Sequence, residues 1–139
     1  MTLQVEVVVP EGEIWAGPAQ MVIAKTLDGD IGVLTGHTPV LGILAEGSVV
    51  RIMPEEAGNA SGVIVAAVGG GFFSVADDRV SVLARQAQLG REVDRQATQA
   101  ALDDALQDAG ASGQGDEEST DVRYFRALLR AAGDSADRP

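Results

Sequence analysis

The chain has one histidine, His37. It lies in Gly29-Asp30-Ile31-Gly32-Val33-Leu34-Thr35-Gly36-His37-Thr38-Pro39, with Asp28 and Asp30 close in sequence. A histidine acting as general base needs an acid to orient it and a nucleophile within reach. No Ser-centred motif accompanies this one. A phosphate cradle needs a glycine loop that opens a helix, with Lys or Arg nearby. Pro39 and the apolar run after it oppose a helix, and Lys25 falls in a predicted strand. The remaining reading is a histidine that braces a loop through hydrogen bonds. The second glycine cluster, Gly69-Gly70-Gly71, precedes Phe72 in a strand pattern, where glycines mark a bulge or a close backbone approach. Asp103, Asp104 and Asp108 fall on the predicted solvent side of a helix. Arg123, Arg126 and Arg130 form a stripe, because residues three and four apart are neighbours on a helix. Two uses fit that stripe: pairing with the chain's own Asp103 and Asp104, or docking onto an acidic partner.

Composition narrows the classes. Over 139 residues there are 21 acids and 10 bases, a formal charge of −11. Such a surface repels nucleic-acid phosphates and anionic headgroups, so neither nucleic acid nor a membrane surface is an expected direct partner. The acidity by itself serves solubility. With no cysteine there is no disulfide framework, and one histidine cannot build a multi-histidine metal site. Aromatics are 4% against 45% hydrophobic residues, so the core must be Val, Ile, Leu and Ala. The first residues, MTLQVEVVVPEGE, lack a basic leader and meet Glu6 early, which predicts a cytoplasmic location. No run reaches the ~18 apolar residues of a membrane span.

The pattern changes near residue 90. Before it, short Val- and Ile-rich runs alternate with Gly-rich turns. Leu3, Val5, Val7 and Val9 give period two, a strand with one buried face. Further strands are predicted at Glu13 to Ala16, Gln20 to Leu27, Ile31 to Leu34, Val40 to Leu44, Ser48 to Met53 and Val63 to Val68. Phe72 to Ala76 and Arg79 to Ala84 form a hairpin across Asp77-Asp78. Many short strands with such turns predict a sandwich or barrel. After residue 90, Asp94 is placed to cap a helix with Thr98, Leu102, Ala105, Leu106 and Ala109 on one face and a stop at Gly110. Residues 111–119 read as a flexible linker. A second helix, 121–132, carries Val122, Phe125, Leu128, Leu129 and Ala132, stops at Gly133, and leaves a loose tail. The domain reading is a sandwich at 1–87 and a helical hairpin at 88–139.

The loop Gly29 to Pro39 resembles the signature loop of the epsilon subunit of F-type, rotary, proton-translocating ATP synthases. Glu46-Gly47-Ser48-Val49-Val50-Arg51-Ile52 resembles the strand that follows it. Gly70-Gly71-Phe72-Phe73-Ser74-Val75 and Val80-Ser81-Val82-Leu83-Ala84 resemble the hairpin ending the sandwich. Glu92-Val93-Asp94 resembles the start of the helical pair. The likeness covers roughly residues 3 to 110.

The resemblance implies a β-rich fold with an α appendage: a ten-stranded N-terminal β-sandwich followed by a two-helix antiparallel hairpin. It implies a non-catalytic rotor subunit on the cytoplasmic face of the cell membrane. One face of the sandwich would bind the gamma subunit and one end the c-ring, with Asp30 and His37 in the c-ring-facing loop. The C-terminal helices could reach the beta subunit and limit ATP hydrolysis, with Arg123, Arg126 and Arg130 as inhibitory contacts. Some members bind regulatory ATP through an Ile/Leu-Asp-x-x-Arg-Ala motif. Here Val93-Asp94-Arg95-Gln96-Ala97-Thr98 keeps the acid, so Asp94 is the one candidate for ATP contact. The arginine position holds Ala97, which removes a bidentate phosphate partner, and Arg91 or Arg95 would have to replace it. No cofactor is therefore expected. The alternative, a small-ligand-binding β-sandwich module, would show an open apolar pocket; a rotor part would show a broad apolar outer face.

Overall fold

The computed structural model describes residues 2–54, 62–111 and 120–136. The element order is β1 (Leu3–Val9), β2 (Gly12–Thr26), β3 (Gly29–Val33), β4 (Val40–Ile43), β5 (Ser48–Pro54), β6 (Ile64–Val68), β7 (Gly71–Ala76), β8 (Arg79–Ala84), β9 (Ala87–Leu89), a 3-10 turn at Gly90–Glu92, α1 (Arg95–Ala111) and α2 (Thr120–Ala136). Neighbouring strands run β4-β7-β8-β1-β2-β5-β6-β9, with β3 paired to β2.

The fold turns on β2. The sequence predicts two strands here, Glu13 to Ala16 and Gln20 to Leu27. Instead one 15-residue strand runs through, its first half on β1 and its second on β3 and β5. A register shift between Ala19 and Met21 marks where it passes from one partner set to the other. A bulge of this kind bends a strand and lets a sheet fold over itself. An isolated bridge between Thr26 and Leu44 brings the end of β2 beside the end of β4. The resemblance implies ten strands; among the described residues there are nine and that bridge.

Inside the folded sheet lies a core of Leu3, Val5, Val7, Val22, Val33, Val50, Ile52, Phe73, Val80, Val82 and their neighbours. The alternation predicted for β1 is present, with Gln4, Glu6 and Val8 turned outward. Two strands break the alternation for a physical reason. In β6, Ala66, Ala67 and Val68 are all fully buried. Val68 belongs to the main core, whereas Val65 and Ala67, with Val49 of β5, meet Tyr124, Ala127, Leu128 and Ala131 of α2. The β5–β6 region is thus covered on both faces, and continuous apolar runs follow from that.

The two helices are unequal. α2 buries Val122, Tyr124, Ala127, Leu128, Ala131 and Ala132. Tyr124, Ala127 and Ala131 are additions to the predicted face, while Phe125 and Leu129 are half-buried. α1 contacts α2, but Leu102 is its one buried side chain among those described, and the predicted core residue Leu106 is 41% exposed. Both helices run past their predicted glycine stops, to Ala111 and Ala136. Gly133 has a half-buried, uncrowded position within α2, and a glycine away from a forced left-handed turn weakens a helix without ending it. The predicted linker at 111–119 begins one residue too early, since Ala111 belongs to α1; its remainder, the loop at 55–61 and the last three residues lie outside the described residues. The sheet continues through Leu89, two residues beyond the expected boundary at 87.

Candidate functional site

The histidine loop is held by a residue that sequence reasoning missed. Asp77 and Asp78 form the β7–β8 turn, with φ of 52° and 61°. Positive φ at both central residues matches the twist of a two-residue hairpin, and Asp tolerates it better than most side chains. From there the Asp78 carboxylate accepts a hydrogen bond from the Gly36 N–H at 2.7 Å. The Asp78 carbonyl accepts from the Gln4 N–H at 2.8 Å. His37 itself is half-buried; its Nδ1 lies 2.6 Å from the Thr38 carbonyl, a contact that requires the proton on Nδ1. The loop is braced by hydrogen bonds, as the sequence suggests, but the principal brace comes from 42 residues away.

Asp30 and His37 are not brought together. Asp30 is exposed and pairs in register with Lys25, next to the Thr26–Gly29 turn. That turn is shaped by the Thr26 hydroxyl, which donates to the Gly29 carbonyl at 2.8 Å and accepts from the Asp28 N–H at 3.2 Å. Backbone bonds from Leu27 to Ile43, Ala45 to Lys25 and Leu44 to Gly71 place this turn at the Gly71 end of β7. The Gly36–Asp78 contact lies at the Ala76 end. A six-residue strand spans roughly 16 Å between its end Cα atoms. The acids near His37 in sequence therefore sit at the far end of the sheet, and no orienting carboxylate for a general base comes from them.

The glycine cluster is a crossing point. Gly70 and Gly71 have φ of 87° and 133°. A Cβ on Gly71 would collide with the Leu83 carbonyl and Ala84, and one on Gly70 would fall 2.6 Å from the Glu46 carboxylate. The Glu46–Arg85 ion pair passes over Gly70. This is the close backbone approach predicted from sequence. Beside it, Gly47 has φ of 63°, and a Cβ there would fall 2.5 Å from the Arg123 backbone at the start of α2.

At the helices, the Asp94 carboxylate accepts from the Ala97 N–H at 3.0 Å, which makes it the expected cap. Arg123, Arg126 and Arg130 are exposed on α2. Asp103 accepts from Gln99 Nε2 at 3.1 Å. Burial pushes the Tyr124 hydroxyl above its ordinary pKa of 10.0.

The broadest chemical feature is apolar. Cross-strand registers align Ile43 with Phe72, Phe72 with Leu83, and Leu83 with Val8. Ile43, Phe72 and Leu83 are 51%, 52% and 44% exposed, and Leu41, one outward step along β4, is 71% exposed. The row spans four strands on the outer face. A shallow cleft of about 190 Å³ opens on the same face around Glu6, Ala16 and Ser81. It falls below the roughly 300 Å³ at which small-molecule pockets begin. Among the described residues no group of His, Cys, Asp and Glu is arranged to hold a metal, and no helix is long and apolar enough to cross a membrane.

The chain is a β-sandwich folded from one bent sheet, with a helix docked on one outer face and an apolar row left open on another, a geometry suited to docking on other proteins. The family described as "ATP synthase, Delta/Epsilon chain, beta-sandwich domain" matches residues 2–90. The ATP synthase epsilon chain of Thermobifida fusca is 49% identical over 132 residues, covering 94% of this chain and 91% of that one. That of Streptomyces griseus is 44% identical over 128 residues, covering 92% and 97%. A solved structure of the Euglena gracilis mitochondrial ATP synthase, OSCP/F1/c-ring, contains a chain of the same fold, with a TM-score of 0.70 at 22% identity, covering 94% of this chain and 81% of that one. The chain belongs to the epsilon chains of ATP synthase, a non-catalytic subunit of the rotary complex.

Proposed function

We propose that this chain couples the gamma subunit to the c-ring in the central stalk, and that its C-terminal helices limit ATP hydrolysis. The observation that carries the reading is the exposed row Ile43, Phe72 and Leu83 with Leu41 beside it. Contiguous apolar surface of this kind marks a protein contact, and gamma is the occupant that membership in the family supplies. The opposite need, contact with polar c-ring loops, is served by the exposed turn Asp28 to Asp30; His37, at the other end of β7, is assigned to holding its loop. The location that follows is the cytoplasmic face of the cell membrane, as a peripheral part of the complex. The beta subunit is the partner for Arg123, Arg126 and Arg130 when the helices extend.

No regulatory nucleotide is assigned. The Asp94 carboxylate is engaged in capping α1, and Ala97 stands where a phosphate-binding guanidinium would be needed.

The test is binding of the full-length chain to gamma by calorimetry. Phe72→Asp puts a charge in the centre of the apolar row and should weaken binding at least about a hundredfold, since a buried unpaired charge costs several kcal/mol. The isolated variant should stay folded and melt a few degrees lower, because Phe72 is 52% exposed and its other half packs on Ile43 and Leu83 across the strands. Unchanged affinity would remove this face from the gamma contact.

A further inference from the structure

We propose that the cleft beside the apolar row receives a basic side chain of the docked subunit, with Glu6 as its counter-ion. The inference rests on the proposed use of this face for gamma.

The outward positions of β4, β7, β8 and β1 carry Leu41, Ile43, Phe72, Ser74, Ala76, Arg79, Ser81, Leu83, Gln4, Glu6 and Val8. They hold one carboxylate and one guanidinium, in a protein whose charge is −11. On the adjoining β2, the exposed Glu13 is the cross-strand partner of Val8 and brings a second acid to the edge of this face, so Glu6 is the acid in its interior. That is the composition of a docking surface, where charge is depleted around an apolar centre and a few charges remain to set register.

Glu6 is also the charge placed to receive something. It is half-buried in the cleft floor, flanked by Gln4, Ala16 and Ser81. Its Oε1 accepts the Ser81 hydroxyl at 2.9 Å, which leaves the second carboxylate oxygen open to a further donor. Arg79, one outward step along β8, lines the same cleft and is exposed. Among the described residues the two make no ion pair with each other. A docked partner closes the cleft and removes water from Glu6. A half-buried carboxylate with one neutral donor is then left short of compensation, and a cation from the partner supplies it. An apolar group in the same place would leave the carboxylate desolvated and unpaired, which disfavours docking. A basic residue set one strand row from the apolar contact therefore fixes the register of the partner on the face.

Glu6→Gln tests this in the full-length chain. The amide keeps an oxygen for the Ser81 hydroxyl and nearly the same volume, so the melting temperature should not move. Affinity for gamma should fall about tenfold, and its dependence on salt should flatten, because one ion pair is lost. Ser81→Ala keeps the charge, removes the internal donor and should bind with affinity within about twofold of the parent. Phe72→Asp distinguishes the failures. If Phe72→Asp disrupts binding while Glu6→Gln binds like the parent with the same salt slope, the face stands and the Glu6 pairing is wrong. If Ser81→Ala loses as much as Glu6→Gln, the pair shapes the strand edge and the cation site is likewise wrong. If Phe72→Asp binds normally, the face is not the gamma contact and the inference falls with it.

Discussion

Asp78 shows how much one side chain can hold. It occupies a left-handed turn position, anchors the start of β1 through its carbonyl and fixes the histidine loop through its carboxylate. Asn at this position tolerates the same backbone and keeps an acceptor, so Asp78→Asn should cost less than about 0.5 kcal/mol. Asp78→Ala removes the acceptor and places a side chain with poor tolerance for positive φ in the turn. Its expected cost in urea denaturation is about 2 kcal/mol, from a lost charge-assisted bond and the backbone preference together. Equal costs for the two variants would mean that the Gly36 contact contributes nothing. The bond could not be read in the sequence. The Asp77-Asp78 turn was legible, as was the glycine-rich histidine loop, but no local pattern says that two turns 42 residues apart share a hydrogen bond.

The element that decides the architecture after β2 is α2. Its buried face and the β5–β6 surface cover each other, so the helix is part of the sandwich's stability, whereas α1 adds little beyond Leu102. Gly47 is the seat on which α2 begins, and Gly36 provides its control. Both have positive φ, but a Cβ on Gly36 would meet nothing within 4 Å, while one on Gly47 would strike the Arg123 backbone. Gly36→Ala should therefore cost about 1 kcal/mol for its backbone alone, and Gly47→Ala at least about 1 kcal/mol more. Tyr124, the chain's single tyrosine, reports the cause. Buried and neutral, it titrates above its ordinary value in the folded chain. The stability this provides is complete below the unfolded-state pKa near 10 and is lost as pH rises through the higher folded-state value. Absorbance titration should show the Tyr124 midpoint falling back toward 10 in Gly47→Ala and staying raised in Gly36→Ala. The amphipathic spacing of α2 was plain in the sequence. Its docking place was not, because Val49, Val65 and Ala67 read equally well as core or as surface awaiting a partner. The same ambiguity hid Phe72: in Phe72-Phe73 one ring must face out, and periodicity does not say what the outer ring meets.

At the scale of the whole molecule, the helices have two kinds of hold, and they can be separated. The apolar face of α2 stabilises docking on the sheet, with each buried Val or Leu contributing about 1.5–3 kcal/mol. The stripe of Arg123, Arg126 and Arg130 lies exposed on the same helix, where an ion pair is worth at most about 1 kcal/mol. A partner that draws α2 away must offer an equivalent apolar surface, and the arginines can then adjust the balance between the two positions. Truncation after Gly110 is thus a compound experiment. It removes any inhibitory contact, but it also uncovers Val49, Val65 and Ala67, so the shortened chain should melt at a lower temperature. Replacing the three arginines with alanine leaves the apolar face intact and makes the chain three charges more negative. In the assembled ATP synthase this variant should hydrolyse ATP about two- to fivefold faster than the parent at low salt, which corresponds to roughly 0.4–1 kcal/mol shared among three screened pairs. The difference should shrink as salt is raised, because exposed charges are screened within a Debye length of about 10 Å at 0.1 M. Assembly should be unchanged, and the isolated chain should melt at most a few degrees lower, because the three arginines are exposed and a contact made there is worth at most about 1 kcal/mol. Equal hydrolysis by variant and parent at low salt would show that the stripe does not hold an inhibitory position, and the arginines would then belong to the folded-down arrangement alone.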